Sequence, residues 1–339
     1  MNNLDIFKDK KILITGGTGT IGSSLTKALL QKDVRVIRIL SRDEHKQFNM
    51  MQELRNESRM RFLIGDVRDS TRLNRAMEDI DIVFHTAALK HVPLCEYNPF
   101  EAVKTNVIGT QNVIESAINN NVERLIFTSS DKTISPTNTY GATKLLAERL
   151  ITSAHNYKGS HRILFTAVRF GNVIGSRGSV IPLFKKQILE NREVTLTDPE
   201  TSRFMMTLSQ ATNLTLEACK RVKGGEIFVL KMPVANMKDL LEVVIEEVTK
   251  KYNINPKEVK IVETGLKPGE KMYEELMTYE ESQYALEFED MFAIPPLFTR
   301  KNYDYGFGQP APIKSYSSQD IKPLTKKELK ELILQENLI

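Results

Sequence analysis

The sequence has few cysteines, little excess charge and no arrangement of residues typical of a metal site. Only Cys95 and Cys219 are present, far apart, and neither a CxxC nor an HxxxH pair offers ligands for a metal ion. We therefore expect reduced thiols and no bound metal. The 47 basic and 43 acidic residues leave a formal net charge of +4, which is too mild for a protein that binds nucleic acid.

The chain also lacks the sequence marks of export and of membrane insertion. Its first residues, MNNLDIFKDKK, are polar and charged, whereas a secretory signal has a basic region followed by an apolar stretch. No apolar run approaches the roughly 18 residues that a membrane span requires. We expect a cytoplasmic protein with no membrane partner.

What the sequence does contain is a regular alternation of short apolar strands and amphipathic helices. With 339 residues and 41% apolar content, the chain is long enough for one large and one smaller domain. Strands are predicted at 11–15, 35–40, 60–64, 82–85, 124–128 and 163–169. Because helical patterns separate them, the predicted fold class is α/β, a doubly wound parallel Rossmann sheet with a smaller α/β substrate-binding C-terminal lobe.

The regular alternation of predicted strands and helices ends after about Gly175. IPLFKKQILE, SRFMMTLSQATNLTLEACKRV and MKDLLEVVIEEVTKKY read as helices and GEIFVLK as a strand, and we assign these segments to the second lobe. From about Pro295 the sequence is rich in Pro, Tyr and Ser before a short charged helix, TKKELKELILQE, which indicates a wrapping or flexible arm. The predicted ranges are 1–175 for the Rossmann domain, 176–295 for the second lobe and 296–339 for the C-terminal arm and helix.

A glycine-rich loop, TGGTGTIG, follows the first predicted strand and precedes a helix. Glycines at such a place permit a tight turn and bring the amides of the helix N-terminus close to a pyrophosphate. The spacing G-x-x-G-x-x-G is typical of the short-chain dehydrogenase/reductase superfamily. The predicted cofactor contacts in this loop are Gly16, Thr18, Gly19, Thr20, Ile21 and Gly22.

The ends of the second and third strands carry residues suited to the adenosine half of a dinucleotide. An arginine at the end of the second strand accepts a ribose 2′-phosphate, whereas an acidic residue holds the 2′-hydroxyl. The chain has Ser41-Arg42-Asp43, and since Arg42 comes first we favour NADP over NAD; an ordinary surface charge is the alternative. Asp66-Val67 closes the third strand, where a carboxylate can receive the adenine amino group or simply belong to a turn.

Tyr140 and Lys144 lie four residues apart in YGATK and therefore on one helical face. A neighbouring ammonium stabilises a phenolate, so we expect Lys144 to bring the pKa of Tyr140 towards neutrality. Such a tyrosine would deprotonate a sugar hydroxyl while a hydride leaves the same carbon.

Asp131 and Lys132 stand between the fifth strand and this helix. A simple reductase or epimerase needs only Tyr, Lys and Ser. An Asp–Lys pair can in addition remove a carbon-bound proton and protonate a leaving hydroxyl, so the pair indicates an elimination. A structural ion pair before Pro136 is the alternative.

Motifs along most of the chain resemble those of the UDP-N-acetylglucosamine 4,6-dehydratases, soluble short members of the extended short-chain dehydrogenase/reductase group that serve flagellin-sugar and polysaccharide biosynthesis. The motifs are SRDEHKQ, MRFLIGDVRD, AALKHVPLCEYNPFEAVKTNVIGTQNVI, SSDKTISPTNTYGATK, RFGNVIGSRGSVIP, GEIFVLK, GLKPGEKMYEE and LEFEDMF. The resemblance implies UDP-N-acetylglucosamine as the small-molecule substrate, a nicotinamide cofactor recycled in each turnover, a nucleotide-sugar-binding second lobe, and a homo-oligomer.

The resemblance also implies a role for each catalytic candidate. Tyr140 would take the C4 hydroxyl proton as hydride passes to NADP⁺, and Lys144 would support Tyr140 and the nicotinamide ribose. Lys132 would then remove the C5 proton, Asp131 would protonate the departing C6 hydroxyl, and the hydride would return to C6. Whether C5 is inverted or retained stays open.

Further binding residues follow from the same motifs. The additional cofactor contacts implied are Ala87, Ala88, Lys90 and Asn106, of which Asn106 would brace the active-site backbone. The substrate contacts implied are Lys90, Ser129 or Ser130, Asn172, Arg177, Gly178, Ser179, Val180, Arg203, Lys267 and Glu270. Relatives commonly read RPGEK where this chain has Lys267, and a lysine there loses the bidentate fork that an arginine offers a diphosphate.

Two alternatives stay open beside the dehydratase. A UDP-sugar C4-epimerase or 4-keto reductase is the first, and the Asp131–Lys132 pair argues against it because neither reaction needs a C5 base and a C6 acid. A nucleotide-sensing Rossmann protein without turnover is the second, and the intact set of Tyr140, Lys144, Asp131 and Lys132 argues against that.

Overall fold

Strands and helices alternate along the chain as the sequence pattern predicts. The structure is a computed structural model that describes residues 5–176, 178–296 and 308–339. Its strands are β1 (Lys11–Thr15), β2 (Val36–Ser41), β3 (Met60–Ile64), β4 (Ile82–His85), β5 (Arg124–Thr128), β6 (Leu164–Arg169), β7 (Asn172–Val173), β8 (Glu193–Leu196), β9 (Ser202–Met206), β10 (Ile227–Leu230), β11 (Val234–Asn236), β12 (Lys260–Glu263), β13 (Glu275–Met277), β14 (Leu286–Glu287), β15 (Met291–Ile294), β16 (Gln309–Pro310) and β17 (Tyr316–Ser317).

The helices fall between these strands. They are α1 (Thr20–Leu30), α2 (Glu44–Glu53), α3 (Ser70–Met77), α4 (Val92–Tyr97), α5 (Pro99–Ala102), α6 (Gly109–Asn119), α7 (Thr139–Tyr157), α8 (Val180–Asn191), α9 (Leu208–Arg221), α10 (Met237–Tyr252), α11 (Tyr279–Ser282) and α12 (Lys326–Gln335). Of these, α1, α2, α6, α7 and α9 contact the large sheet. A π-helical turn, Val103–Ile108, joins α5 to α6.

The large sheet has the doubly wound order that the sequence predicts. Its parallel strands run β3-β2-β1-β4-β5-β6-β10, and the antiparallel strands β15, β14 and β16 extend it beyond β10. The order reverses between β1 and β4, and ligands of such sheets bind at the carboxyl ends of the strands beside that reversal. The predicted fold class is confirmed, and each of the six predicted strands is present with its ends shifted by one residue at most.

Two segments after Gly175 differ from the expectation. GEIFVLK forms β10, which pairs with β6 in the large sheet instead of joining the second lobe. The segment predicted as one helix from Ser202 splits: Ser202–Met206 is strand β9, and only Leu208–Arg221 is helical. The reason is a capping box in which Thr207 and Gln210 exchange hydrogen bonds, which starts the helix at Leu208.

A second hydrophobic core lies under α8, α10 and α12. Leu329 and Ile333 of α12 are fully buried against apolar side chains of α8, β8 and α10. Lys330 forms an ion pair with Glu247 of α10 at 2.6 Å. The terminal helix of the predicted arm therefore completes a core of its own chain, whereas the part of the arm at 297–307 lies outside the described residues. The residue ranges assigned to the lobes stay predictions.

A buried ion network joins α7 to the sheet. Arg169, at the end of β6, is fully buried and contacts Glu148 of α7 at 2.6 Å and Glu281 of α11 at 2.7 Å. Burial alone would raise the pKa of Glu148, but Arg169 and the hydroxyl of Ser129 lower it below its ordinary value. The network fixes the helix that carries Tyr140 and Lys144.

Candidate active site

A cleft of about 710 Å³ opens at the carboxyl ends of β1, β4, β5 and β6. Its other wall comes from the start of α8 and from Met205 of β9, so it lies between the large sheet and the second core. The predicted site residues that line it are Gly19, Thr20, Ile21, Gly22, Arg42, Ala88, Lys90, Ser129, Ser130, Asp131, Lys132, Tyr140, Lys144, Asn172, Gly178, Ser179 and Val180. The structure thus brings together residues from across the first 180 positions.

The loop between β1 and α1 fits the pyrophosphate of a dinucleotide. Gly16 has a φ of 66°, and a Cβ there would lie 2.7 Å from the Cα of Ala87. A Cβ on Gly22 would lie 2.6 Å from the Cα of Gly17. Gly19 is the N-cap of α1 and brings no side chain to the first-turn N–H groups. Glycine is therefore required where the chain turns most closely, and the helix N-terminus is open to an anion.

The cleft ends beside two cations, Arg42 and Lys46. Asp43 is occupied as the N-cap of α2, because its carboxylate accepts the Lys46 N–H at 3.0 Å and pairs with the Lys46 ammonium. Asp66 pairs with Arg68 at 2.8 Å and with Arg42 at 3.6 Å. Lys46 is not among the residues predicted from sequence; its place four positions after Arg42, in the first turn of α2, is the signal that could have found it.

Asp131 and Lys132 form a contact pair at the floor of the cleft. The short turn that carries them is capped by Ser130, and the Asp131 carboxylate accepts the Ser130 hydroxyl at 2.6 Å and the Lys132 ammonium at 3.1 Å. The Lys132 Nζ also lies 3.7 Å from Oε1 of Glu274. Burial alone would lower the pKa of Lys132, but the two carboxylates raise it above its ordinary value, so the side chain carries a positive charge.

Tyr140 stands in the first turn of α7, which Asn138 caps by accepting the Gly141 N–H at 2.8 Å. Burial raises the pKa of Tyr140; the Lys132 ammonium and a hydrogen bond with Ser130 oppose that rise without cancelling it. Tyr140 is therefore a neutral phenol, with its hydroxyl beside Ser130.

The expectation that Lys144 lowers the pKa of Tyr140 is wrong for this structure. The Lys144 ammonium donates to the carbonyl of Thr128 and lies 3.9 Å from the centroid of the Phe127 ring. Burial lowers its own pKa to about 7. The ammonium that acts on Tyr140 is instead that of Lys132, from the turn after β5.

The two serines after β5 have different partners. Ser129 donates to the buried carboxylate of Glu148 at 2.6 Å, whereas Ser130 contacts both Asp131 and Tyr140. Although both line the cleft, only Ser130 is connected to the reactive groups. Ser129 is tied to the structural network of Glu148 instead.

Asn106 braces the backbone on the far side of the cleft, as expected. Its amide nitrogen donates to the carbonyl of Leu89 at 2.9 Å, and its oxygen accepts the Leu89 N–H at 2.8 Å. It also donates to Thr143 of α7. The π-helical turn that carries Asn106 lets one side chain hold the segment after β4 against the helix of Tyr140.

Some predicted residues do not line the cleft. Arg203 donates to the backbone carbonyls of Ser202, Lys271 and Met272, because β9 packs against that loop. The others outside the lining are Gly16, Thr18, Ser41, Asp66, Val67, Ala87, Asn106, Lys267 and Glu270. Gly16, Ala87 and Asn106 form the layer directly behind it. Arg177 lies outside the described residues.

Three curated relatives resemble nearly the whole chain. A Methanocaldococcus jannaschii protein named as an uncharacterized membrane protein is 52% identical over 97% of this chain and 96% of its own length. A UDP-N-acetylglucosamine 4,6-dehydratase (inverting) from Campylobacter jejuni is 41% identical over 97% and 98%. A UDP-glucose 4-epimerase from Rickettsia rickettsii is 39% identical over 97% and 96%. Within the described residues, no helix has the length and apolar character needed to cross a bilayer.

A solved structure and a family model extend the likeness. The X-ray structure of Pen from Bacillus thuringiensis superimposes with a TM-score of 0.93 and 56% sequence identity, covering 98% of this chain and 99% of that one. The family model described as polysaccharide biosynthesis protein matches residues 12–296. With its glycine loop, its Tyr140–Lys144 helix face and its doubly wound sheet, this chain belongs to the polysaccharide biosynthesis protein family of extended short-chain dehydrogenases/reductases.

Proposed function

We propose that this chain is a nucleotide-sugar 4,6-dehydratase that converts UDP-N-acetylglucosamine to a UDP-4-keto-6-deoxy-N-acetylhexosamine. The observation that supports this most directly is the contact pair of buried Asp131 and half-buried Lys132 beside Tyr140. Elimination of water across C5 and C6 needs both a base and an acid, and the pair supplies both at one place. The relative at 41% identity that bears this name supports the same reaction. The product would serve the synthesis of surface glycans or glycoprotein sugars.

A bound nicotinamide cofactor would supply reversible hydride storage to the reaction, which would leave no net redox change. The glycine loop before α1 fits its pyrophosphate. Lys144, on the same helix face as Tyr140, would bind its ribose. Nothing else in the cleft needs to change oxidation state.

Hydrogen bonds provide a path for the C4 proton. Tyr140 is hydrogen-bonded to Ser130, and Ser130 donates to Asp131 at 2.6 Å. When Tyr140 accepts the C4 hydroxyl proton, its own proton can pass through Ser130 to Asp131. Asp131 then carries the proton that the departing C6 hydroxyl requires, and no free phenolate has to form. This agrees with the raised pKa of Tyr140.

The base for the C5 proton would be Lys132, once oxidation at C4 has acidified that position. An amine accepts a proton only in its neutral form, whereas Asp131 and Glu274 hold Lys132 in its charged form. Lys132 must therefore lose a proton before it acts. The face from which a proton returns to C5 decides between inversion and retention.

NADP is the cofactor that the adenosine end of the cleft favours. Arg42 and Lys46 both line it, while Asp43, the acid that would hold a ribose 2′-hydroxyl, is occupied in capping α2. Arg42 and Lys46 are paired with Asp66 and Asp43, and a 2′-phosphate that binds here would take the place of these partners on the two cations.

Replacing Arg42 by alanine is expected to weaken NADP binding by about 10- to 100-fold, since a hydrogen bond between charged groups contributes roughly 1.5–3 kcal/mol. NAD binding should change little, because NAD has no 2′-phosphate. Calorimetric titration of cofactor-free protein with each dinucleotide measures both constants. Lys27→Ala, which removes an exposed lysine of α1 outside the cleft, is the control. Equal weakening for NAD and NADP would contradict recognition of the 2′-phosphate by Arg42.

A UDP-sugar C4-epimerase or 4-keto reductase is the second candidate, because relatives at 39% identity are named UDP-glucose 4-epimerase. Such a reaction would use Tyr140 and the cofactor but would give Asp131 and Lys132 no catalytic role. The two candidates differ in whether C6 loses its oxygen.

Proton NMR of the purified protein with UDP-N-acetylglucosamine in D₂O, without added cofactor, decides between them. The dehydratase is expected to produce a new 6-methyl signal or its deuterated counterpart, because the retained cofactor returns the hydride to C6. The ring couplings then distinguish an arabino product, inverted at C5, from a xylo product. A galacto-configured epimer or an unchanged spectrum would reject dehydration of this substrate.

The cytoplasmic location and the homo-oligomer expected from sequence stay predictions. So do the individual substrate contacts at Lys90, Asn172, Gly178, Ser179 and Val180, although all five line the cleft.

A further inference from the structure

A second buried carboxylate lies behind the Asp131–Lys132 pair. Glu274 is 4% exposed, and its Oε1 lies 3.7 Å from the Lys132 Nζ, which also contacts Asp131 at 3.1 Å. Its Oε2 is buried and has no hydrogen-bond partner among the described residues. A buried oxygen that lacks a partner is uncommon in proteins and calls for an explanation.

Contacts with distant parts of the chain hold Glu274 in position. Its backbone N–H donates to the Ser318 hydroxyl at 3.0 Å, and its carbonyl accepts the Ser318 N–H at 2.9 Å. The next strand, β13, pairs with β17 of the C-terminal segment. Arg203 approaches Oε1 only to 3.9 Å, because its guanidinium donates to the carbonyls of Ser202, Lys271 and Met272. Lys132, at 3.7 Å, is therefore the nearer of two cations that act on Oε1.

Burial makes Glu274 a better proton acceptor than an exposed carboxylate. Burial raises the pKa of this carboxyl above its ordinary value, and the Lys132 ammonium opposes the rise. Moving one proton from Lys132 to Glu274 removes a buried charge from each, and two neutral groups cost less desolvation than two ions. The other charged or titratable groups that act on the two side chains are Asp131, Tyr140, Arg203 and Lys271.

We propose that Glu274 is the proton acceptor that converts Lys132 into a neutral base, an inference that rests on the proposed dehydratase function. An Nζ–H bond of Lys132 breaks and an O–H bond forms on Glu274, which leaves a neutral amine and a neutral carboxyl. The amine then takes the C5 proton. When a proton has returned to C5 from Lys132, Glu274 gives its proton back, so the pair ends as it began.

The present separation of 3.7 Å is an ion-pair distance, and catalytic hydrogen bonds commonly shorten when the substrate binds. Because Glu274 does not line the cleft, it acts through Lys132 and is a positioning residue. Asp131 cannot take over this task, since the path through Ser130 already delivers to it the proton that the C6 hydroxyl needs.

The decisive variant is Glu274→Gln, which keeps the shape and removes the acceptor. Formation of the 6-methyl product is expected to fall about 10- to 100-fold with KM nearly unchanged. Reduction of the bound cofactor on mixing with the sugar, followed by near-ultraviolet absorbance, is expected to persist and to accumulate, because C4 oxidation uses Tyr140, Ser130 and Asp131. Glu275→Gln, the same change at the neighbouring position, is the matched control and should behave as wild type.

Two further measurements keep the test decisive. Glu274→Asp retains a carboxyl and is expected to recover part of the lost rate; equal losses in both folded variants would overturn the proposal. The pKa of Lys132, followed by NMR of ¹³Cε-labelled lysine and assigned with Lys132→Met, is expected to fall in Glu274→Gln. That readout needs no turnover and tests the Lys132–Glu274 contact by itself, so it stays valid if the protein is not a dehydratase, while the rates of Glu274→Gln and Glu274→Asp test the proton transfer.

Three outcomes would contradict the role of Glu274. Product formation at the wild-type rate in folded Glu274→Gln is the first, and an unshifted Lys132 pKa in that variant is the second. Loss of both cofactor reduction and product formation is the third, because it would show damage to the whole site. If Glu274→Gln does not fold, Glu274→Asp with the same three readouts decides alone: a carboxyl moved away from Lys132 should slow elimination while cofactor reduction persists.

Discussion

Replacing Tyr140 by phenylalanine is expected to abolish reduction of the bound cofactor and to lower product formation by about 10²- to 10⁴-fold. In the proposed mechanism the phenol hydroxyl passes the C4 proton to the Ser130–Asp131 path, so its removal would leave that proton without its acceptor. Lys132→Ala is expected to block a later step of the reaction. The cofactor would be reduced transiently, but no water would leave because the C5 base is missing.

Rapid mixing with UDP-N-acetylglucosamine, with absorbance for reduced cofactor and NMR for the methyl group, measures both steps. Tyr157→Phe, at the exposed end of the same helix, is the control for Tyr140→Phe and should react as wild type. Equal and full turnover in Tyr140→Phe and Lys132→Ala would contradict both roles.

Replacing Arg169 by methionine is expected to lower the free energy of unfolding by about 3–5 kcal/mol. The guanidinium is fully buried between Glu148 and Glu281, and its removal leaves both carboxylates without their cation. Urea denaturation, with the slope checked for two-state behaviour, measures the loss. Because Arg169 opposes the effect of burial on Glu148, its removal should also raise the pKa of this carboxyl.

The comparison variants separate charge from packing. Lys186→Met removes one partner of an exposed pair on α8 and should change stability by no more than about 1 kcal/mol. Adding Glu148→Gln and Glu281→Gln to Arg169→Met should recover part of the loss, because the buried charges are then absent. A loss below about 1 kcal/mol in Arg169→Met would show that the network is not important for stability.

Local patterns were sufficient for the parallel strands and the cofactor loop. KILIT and RLIFT are short, apolar and buried on both faces, and such runs are typical of the central strands of a parallel sheet. Gly16 and Gly22 are required by the close approach of the backbone in the loop, so the loop could be predicted without knowledge of the rest of the fold. GEIFVLK was also recognisable as a strand, but the sheet it would join was not.

Contacts between residues distant in sequence could not be predicted in this way. The spacing of Tyr140 and Lys144 places them on one helix face but does not show where the ammonium points, and the Thr128 carbonyl from β5 decides that. Glu274 lies more than 140 positions after Lys132, and only the pairing of β13 with β17 brings it behind the lysine.

The Rossmann sheet, the glycine loop and the reactive residue types could be predicted from the sequence, because each depends on neighbours a few positions apart. The cation that acts on Tyr140, the serine that contacts Asp131 and the second carboxylate near Lys132 became known only from the folded chain. Those outcomes depend on burial and on charges brought together by packing, and both are properties of the folded chain as a whole.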